Sequence, residues 1–430
     1  MIKFAPCGNG IRPYARCTTL PFVLLMALLS TIQPAVAQDG YEFWDGKVRV
    51  NGYISQGWQS IEADQGARPE ATDTASGFNR LRANIAFTAQ VSERISAYLE
   101  LGEEPNDFEG TEFGQISQDL AFLDIAVNDW LVFRTGNIVT TVQNFIPYSD
   151  GAIVQGNPLI GNSPIDFITA EQGVQLIGSH PLGEGLFRNL GWDVSITNPN
   201  FFENFDGDRP YQVAAKLRIK IAGGLEFGTG IFQVDGSDQF TPAGGNGAPS
   251  PGGGMTSALW FGDGDNYNFP GTPTNSNETH TAIIPGIDAF LWLVDAKWQP
   301  HRLPLMLRTW FGSAEDEWRY VDSSGAQTTF GLGAADVIDR NSKIQYAGGE
   351  GKYDLTESLY VAVRYSFAEN DSEGASGETD LDRTQIGGGY WLNEATLIKT
   401  EYVRQSEGPG GPGQIGADWD GVTAELSVVF

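Results

Sequence analysis

Residues 80–101 read RLRANIAFTAQVSERISAYLEL, and this stretch decides the fold. Leu81, Ala83, Ile85, Phe87, Ala89 and Val91 alternate with Arg80, Arg82, Asn84, Thr88 and Gln90. After Ser92-Glu93-Arg94, the apolar series resumes with Ile95, Ala97, Leu99 and Leu101, and Ser96, Tyr98 and Glu100 stand opposite. Side chains of a strand point to opposite faces with a period of two, so the spacing predicts two antiparallel strands joined by a tight turn. One face suits hydrocarbon and the other suits water.

The same alternation returns along the chain. It appears in Tyr211–Ile221, where Lys216, Arg218 and Lys220 fall on the polar face, and in Phe290–Trp298, Leu305–Phe311 and Leu359–Phe367. Less regular segments occur around 48–59, 121–127, 131–138, 174–179, 192–197, 225–232, 343–349, 385–392 and 396–404, giving roughly sixteen strands. Helical patterning at i, i+3, i+4 is hard to find, and the 54 glycines argue against an α/β fold of this length. Long turn-rich segments at 62–77, 103–118, 139–172, 198–210, 235–279, 314–341, 368–383 and 405–416 alternate with short turns. The stretch 235–279 taken alone could join two domains, but the same strand pattern on both sides favours one barrel.

The last ten residues alternate strictly: Val422, Ala424, Leu426, Val428 and Phe430 on one face, Gly421, Thr423, Glu425, Ser427 and Val429 on the other. A terminal strand ending on an aromatic resembles the assembly signal of outer-membrane barrels, which names Phe430 as that signal and the barrel assembly machinery as a partner. Pairing this strand with the one near 47–59 leaves no free edge. An edge strand of a periplasmic sandwich remains the alternative.

At the other end, residues 1–37 read as a secretory signal. Lys3, Arg12 and Arg16 precede the apolar stretch Leu20–Leu29, and Ala35-Val36-Ala37 gives an A-x-A site before Gln38. The apolar stretch is shorter than the roughly twenty residues of a spanning helix, although an N-terminal anchor stays open. The division is therefore signal 1–37 and barrel 38–430. Cys7 and Cys17 are the only cysteines and lie in the signal, so the exported part carries no disulfide framework or cysteine metal site. No later run of about eighteen apolar residues occurs, which excludes an inner-membrane helical protein. An exported chain can still cross lipid as a closed barrel, because only that form pairs every backbone group between strands.

Together these features resemble the phosphate-selective porin O and P family. The resemblance rests on the hairpin at 81–101, on Arg134-Thr135-Gly136-Asn137 leading into a long third loop, on Asp150-Gly151-Ala152 and Gly156-Asn157-Pro158 within it, on Gly173-Val174-Gln175-Leu176 after it, and on Phe430. It implies an outer-membrane, trimeric, sixteen-stranded porin with the third loop, 139–172, folded into the lumen. It further implies a water-filled channel for passive diffusion of small hydrophilic solutes and ions, set in lipid and lipopolysaccharide, with no cofactor and no enzyme activity. In such a loop Phe145, Ile146, Pro147, Leu159, Ile160 and Phe167 would hold the wall, while Asn144, Asp150, Asn157, Asn162 and Asp166 would face water.

Charge departs from the family name. Anion selectivity needs Lys or Arg at the narrowest point, yet none occurs between Arg134 and Arg188. The candidate constriction therefore combines Asn144, Asp150, Asn157 and Asp166 with the wall cations Arg82, Arg134, Lys216, Arg218 and Lys220. Arg80, Arg308, Arg364, Lys399 and Arg404 also fall on faces taken as polar. Either these cations set a transverse field against an acidic loop, or they pair with lumen carboxylates. Net charge is −28, and becomes −31 once the three signal cations are removed. That sign argues against nucleic acid as a partner and favours a general or weakly cation-preferring pore. A channel selective for phosphate or other anions, or for sugars, is the alternative.

Signals for catalysis are weak. His180, His280 and His301 are the only histidines, all at expected turns or loop ends, without a spaced nucleophile or carboxylate. Acidic clusters such as Asp206-Gly207-Asp208 lack EF-hand spacing, so no metal site is assigned. Trp58, Trp130, Trp192, Trp292, Trp298, Trp310, Trp391 and Tyr402 are assigned to interfacial girdles, with a sugar-guiding aromatic track as the alternative. Intact-mass measurement of protein from the cell envelope should give a chain beginning at Gln38; a mass retaining residues 1–37 would replace the signal with an anchor.

Overall fold

Mixed-polarity alternation can be satisfied in lipid only if the sheet has no edge, because each unpaired backbone group in hydrocarbon costs several kcal/mol. The computed structural model describes residues 41–43, 46–63, 74–103, 117–142, 144, 155–161, 168–198, 211–235, 288–321, 337–370, 380–407 and 418–430. These form seventeen strands and, among the described residues, no helix. The first nine are β1 (Tyr41–Phe43), β2 (Val48–Ala63), β3 (Thr74–Ser92), β4 (Ile95–Glu103), β5 (Ser117–Asn128), β6 (Leu131–Thr141), β7 (Ile168–Pro181), β8 (Phe187–Asn198) and β9 (Tyr211–Ile221). The remainder are β10 (Leu225–Asp235), β11 (Asp288–Trp298), β12 (Leu305–Val321), β13 (Val337–Asp354), β14 (Leu359–Asn370), β15 (Leu381–Asn393), β16 (Thr396–Glu407) and β17 (Trp419–Val429).

β2 to β17 pair antiparallel in chain order, and β17 returns to β2, from Trp419 opposite Ala63 to Val429 opposite Tyr53. Sixteen strands thus close the ring. The seventeenth, β1, is a three-residue addition to Val48–Val50 of β2, on a stretch of that strand that β17 leaves free. Successive strands are joined by short turns at one rim, such as Glu93-Arg94 and Glu394-Ala395, and by eight longer connections at the other.

Polarity is inverted relative to a water-soluble domain. Large apolar side chains point outward and are exposed, among them Val363 at 49%, Ile386 at 54% and Leu426 at 40%. Polar side chains of the same strands point inward and are buried, including Arg82, Gln175, Glu350, Arg364, Gln385 and Glu425. An apolar exterior of this kind suits hydrocarbon rather than water as the outer solvent.

Three expectations need correction. β12 runs on to Val321 and β13 begins at Val337, so both enter the segment expected as a loop at 314–341. Glu315, Asp316 and Glu317 break the sequence alternation without ending the strand, which is why the pattern alone loses it there. Arg404 points outward, since Val403 and Gln405 on either side are the buried inner residues of β16. Trp310 points inward, 2% exposed, and lies over Gly348 rather than in a girdle. Trp130 and Trp298 are exposed at the turn rim, as a girdle requires.

The seam is finished by Phe430. Its N–H donates to Gly52 O at 2.9 Å and its carbonyl accepts from Gly52 N–H at 2.8 Å. A Cβ on Gly52 would approach the Phe430 ring to 2.5 Å, so glycine is what lets the ring cover the strand. Gly52→Val should cost about 1–3 kcal/mol by overpacking. The folded band on an unheated denaturing gel should then melt at a lower temperature; an unchanged melting temperature would show the contact to be dispensable.

Candidate functional site

Inward-facing charges of the wall meet one another across neighbouring strands, because register sets them side by side. On β5 and β6, Arg134 grips Asp124 with two nitrogens at 2.7 and 2.9 Å, and its guanidinium lies 3.9 Å from the Phe122 ring centroid. Phe122 in turn stacks on Tyr98 with centroids 4.9 Å apart. On β3 and β4, Arg82 is wholly buried, while Asn84 and Tyr98 both donate to Glu100. On β8 and β9, Lys216 pairs with Asp193 at 3.4 Å.

Moving on around the barrel, the partners across the strands run Lys220, Glu226, Lys297, Arg308, Glu350, Arg364 and Gln385. Lys220 reaches Glu226 only at 3.9 Å and its side chain is 46% exposed, the most open of the wall cations named from the sequence. Arg218 has glycine on both sides, Gly191 of β8 and Gly228 of β10, and its guanidinium lies over Gly191.

The chain between β6 and β7 touches this inner wall at two separated places. Near its start, Asn144 N–H donates to Asp295 Oδ2 of β11 at 2.8 Å. Val142 lies so close to Gly230 of β10 that a Cβ there would collide with the Val142 carbonyl. Further on, Gln155–Gly161 lies against β13 to β17. Gln155 Nε2 donates to Ala395 O and Ser427 O at 2.9 and 3.2 Å. Ile160 and Gly161 N–H donate to Glu401 Oε2 at 2.7 and 3.1 Å. Lys399, paired with Glu425 at 2.9 Å, also donates to the carbonyls of Asn157 and Leu159 at 3.4 Å each. Leu159 and Ile160 are buried, 1% and 3% exposed.

Arg364 is the centre of this seat. It donates to Glu350 Oε2 at 2.6 and 3.0 Å, to Gly161 O at 2.6 Å, to Asn157 Oδ1 at 2.8 Å and to Gln385 Oε1 at 3.3 Å. The other oxygen of Glu350 accepts from Arg308 at 3.2 Å.

Several sequence assignments are thereby placed. Leu159 and Ile160 hold the wall as expected. Asn157 does not face water: it is wholly buried and committed to Arg364, because a cation on a strand about two hundred residues away reaches it. Arg82, Arg134, Lys216, Arg218 and Lys220 lie inward on β3, β6 and β9, and Arg134 and Lys216 pair with carboxylates. Asp150, Asp166, Asn162, Phe145, Ile146, Pro147, Phe167 and His280 lie outside the described residues, and so does the side chain of Arg80. Glu350, Gln385, Glu401 and Glu425 were not singled out in the sequence. Their inward parity on β13 and β15–β17 was the available signal.

No family model matches the chain, so the resemblance to the phosphate-selective porin O and P family is not established as membership, and no curated protein matches it in sequence. Solved structures do match in fold. OmpF of Salmonella typhi, in complex with daunomycin, superposes with a TM-score of 0.56 at 14% identity, covering 91% of this chain and 100% of that one. OmpT, an outer-membrane protein of Vibrio cholerae, gives 0.54 at 10% identity over 91% and 100%. An anion-selective porin of Comamonas acidovorans gives 0.52 at 12% identity over 89% and 99%. At these identities the likeness is one of fold: the chain has the architecture of the porins.

Removing one partner of a buried ion pair costs about 3–5 kcal/mol, because the other charge stays behind in a dry site. Lys399→Met should therefore lower stability strongly, and adding Glu425→Gln should recover part of the loss. Urea midpoints in detergent measure both; a double variant no better than the single one would mean that the pair is not the source of the effect.

Proposed function

We propose that this chain is an outer-membrane porin, a water-filled channel for passive diffusion of small hydrophilic solutes and ions. The observation that carries this reading is the closed sixteen-stranded ring with an apolar outside and a charged inside. A ring of this size is too wide for its own side chains to fill, so water occupies what they leave. The inward contacts of Asn144 and of Gln155–Gly161 support a third loop that narrows the lumen. Fixed charges there are spread over several strands and partly paired, which suits a general pore better than a dedicated ligand site. Residues 1–37 act in this proposal as the export signal, and lipid, lipopolysaccharide and the assembly machinery are the surroundings of the mature chain. Assembly as a homotrimer is part of the proposal; one of the fold neighbours, OmpT of Vibrio cholerae, is described in a trimer form.

Selectivity follows from two opposed fields. Net charge is strongly negative, and much of the acid lies in the long connections, which draws cations to the mouth. The inner face of β9–β12 opposes it with Lys216, Arg218, Lys220, Lys297 and Arg308 against Glu226 and Asp295. Opposed fields give weak preference, with a small bias to cations at low salt. A second reading, an anion-preferring pore, is favoured by that basic strip.

Purified protein in a planar bilayer should open in large ohmic steps. In a salt gradient, a zero-current potential near zero or slightly cation-selective supports the general pore. A clearly anion-selective potential supports the second reading, and absence of steps from folded protein would sink both. Lys220→Glu should shift the potential toward cations.

A further inference from the structure

Resting on the porin reading, we infer that Arg364 is the positioning residue that sets the aperture, by pinning Asn157–Gly161 against the wall of β13–β16. Acceptors and donors offered by distant strands, met by Asn157 and the backbone of the segment, determine where it sits.

The geometry of the pin is specific to a guanidinium. All three nitrogens of Arg364 are engaged: Nε and Nη2 on Glu350 Oε2, Nη2 also on Asn157 Oδ1, and Nη1 on Gly161 O and Gln385 Oε1. A lysine keeps the charge but cannot present a planar fork to the wall and loop at once. The complementary backbone donors, Ile160 and Gly161 N–H, end on Glu401 Oε2, and Gln385 Nε2 joins the two halves by donating to Gly161 O and Glu401 Oε1 at 3.2 Å each. Wall side chains thus satisfy both the N–H and the C=O of Gly161. Asn157 adds an internal tie, its Oδ1 accepting Leu159 N–H at 3.3 Å, which fixes the turn that presents these groups.

Burial turns this set of bonds into a latch. Arg364, Gln385 and Asn157 are wholly buried, and Glu350 and Glu401 nearly so. Groups without access to water must be paired inside, so a partly lifted loop would strand several donors and acceptors at once. The seat is also shaped for the apolar part of the segment: a Cβ on Gly387 would press on Leu159 Cδ2 at 3.0 Å and collide with the Thr400 carbonyl. The loop is therefore either seated or released, and the size of solute admitted depends on which.

Two substitutions separate the pin from the barrel. Arg364→Met removes it from the wall side. Asn157→Ala removes one arm from the loop side and leaves the Arg364–Glu350 pair intact, so it tests the inference even if Arg364→Met fails to fold. Both are expected to give larger single-channel steps and to admit a neutral sugar that the parent excludes, with Arg364→Lys intermediate. A readout independent of conduction uses Gln155→Cys with Ser427→Cys, where Gln155 Nε2 and Ser427 Oγ stand 3.3 Å apart. A short bifunctional thiosulfonate should bridge this pair readily in the parent and poorly when Asn157→Ala or Arg364→Met is added. Folded variants with parental steps, parental sugar exclusion and parental bridging would overturn the inference. Should no form conduct, the porin reading falls, and slower bridging in the variants alone would still support the seat.

Discussion

The pairing in this barrel meets one requirement, that no backbone N–H or C=O of the sheet be left without a partner, which is the condition for a sheet surrounded by hydrocarbon. A sheet meets that requirement only by closing on itself, and closure turns the two faces of each strand into an outside and an inside with different solvents. The return of β17 to β2, completed by the reciprocal bonds of Phe430 and Gly52, is the step that removes the last edge. Once the ring is shut, polarity has to be inverted, and the exposed Val363 and buried Arg364 are neighbours in sequence for that reason.

The inside then poses a second problem, since charged groups gathered in a partly dry lumen must be compensated. The chain solves it differently in two sectors. Across β13–β17, Glu350, Arg364, Gln385, Lys399, Glu401 and Glu425 are buried and bonded to one another and to the segment Gln155–Gly161. Across β8–β10, Lys216 and Lys220 keep partial contact with solvent and looser pairs, at 3.4 and 3.9 Å. The covered charges are bonded to the loop segment, and the less covered ones stay accessible from the lumen. Surface-like pairs of the second kind contribute little stability.

How much of this was legible in the sequence follows from the same division. Strands with an apolar outer face announced themselves by strict alternation, as in Leu81–Leu101, Tyr211–Ile221, Leu359–Phe367 and the last ten residues. β13 was harder, because Gly348, Gly349 and Gly351 supply no contrast between faces, and the continuations of β12 and β13 into the segment expected as a loop lose the contrast altogether. Parity identified Arg364 and Lys399 as inward cations. It could not say what covers them, since periodicity reports the face of a residue and not its height or its neighbours across the lumen. Asn157 was misjudged on that account: a polar residue of a turn-rich loop is ordinarily hydrated, and only the strand arrangement brings Arg364 to it. Arg404 was placed on the polar face against parity: Lys399 and Arg404 are five residues apart in one strand and must face opposite ways.

Acid and base are sorted unevenly along the chain. A chain with 54 acidic and 26 basic residues would carry a uniformly negative lumen if its charges were distributed evenly. The described strands instead place many of the cations inward, among them Arg82, Arg134, Lys216, Arg218, Lys297, Arg308, Arg364, Arg383 and Lys399. Compactness explains the sorting. A carboxylate cluster buried on the inner wall would repel itself, whereas arginine can span two or three acceptors at once and join a loop segment to a wall. Carboxylates in surplus are better tolerated where water and salt screen them, in the long connections at the open rim. The cation-bearing wall and the strongly negative total are therefore compatible: several of the described inner carboxylates are met by cations, and the surplus of acid falls in the sequence of the long connections.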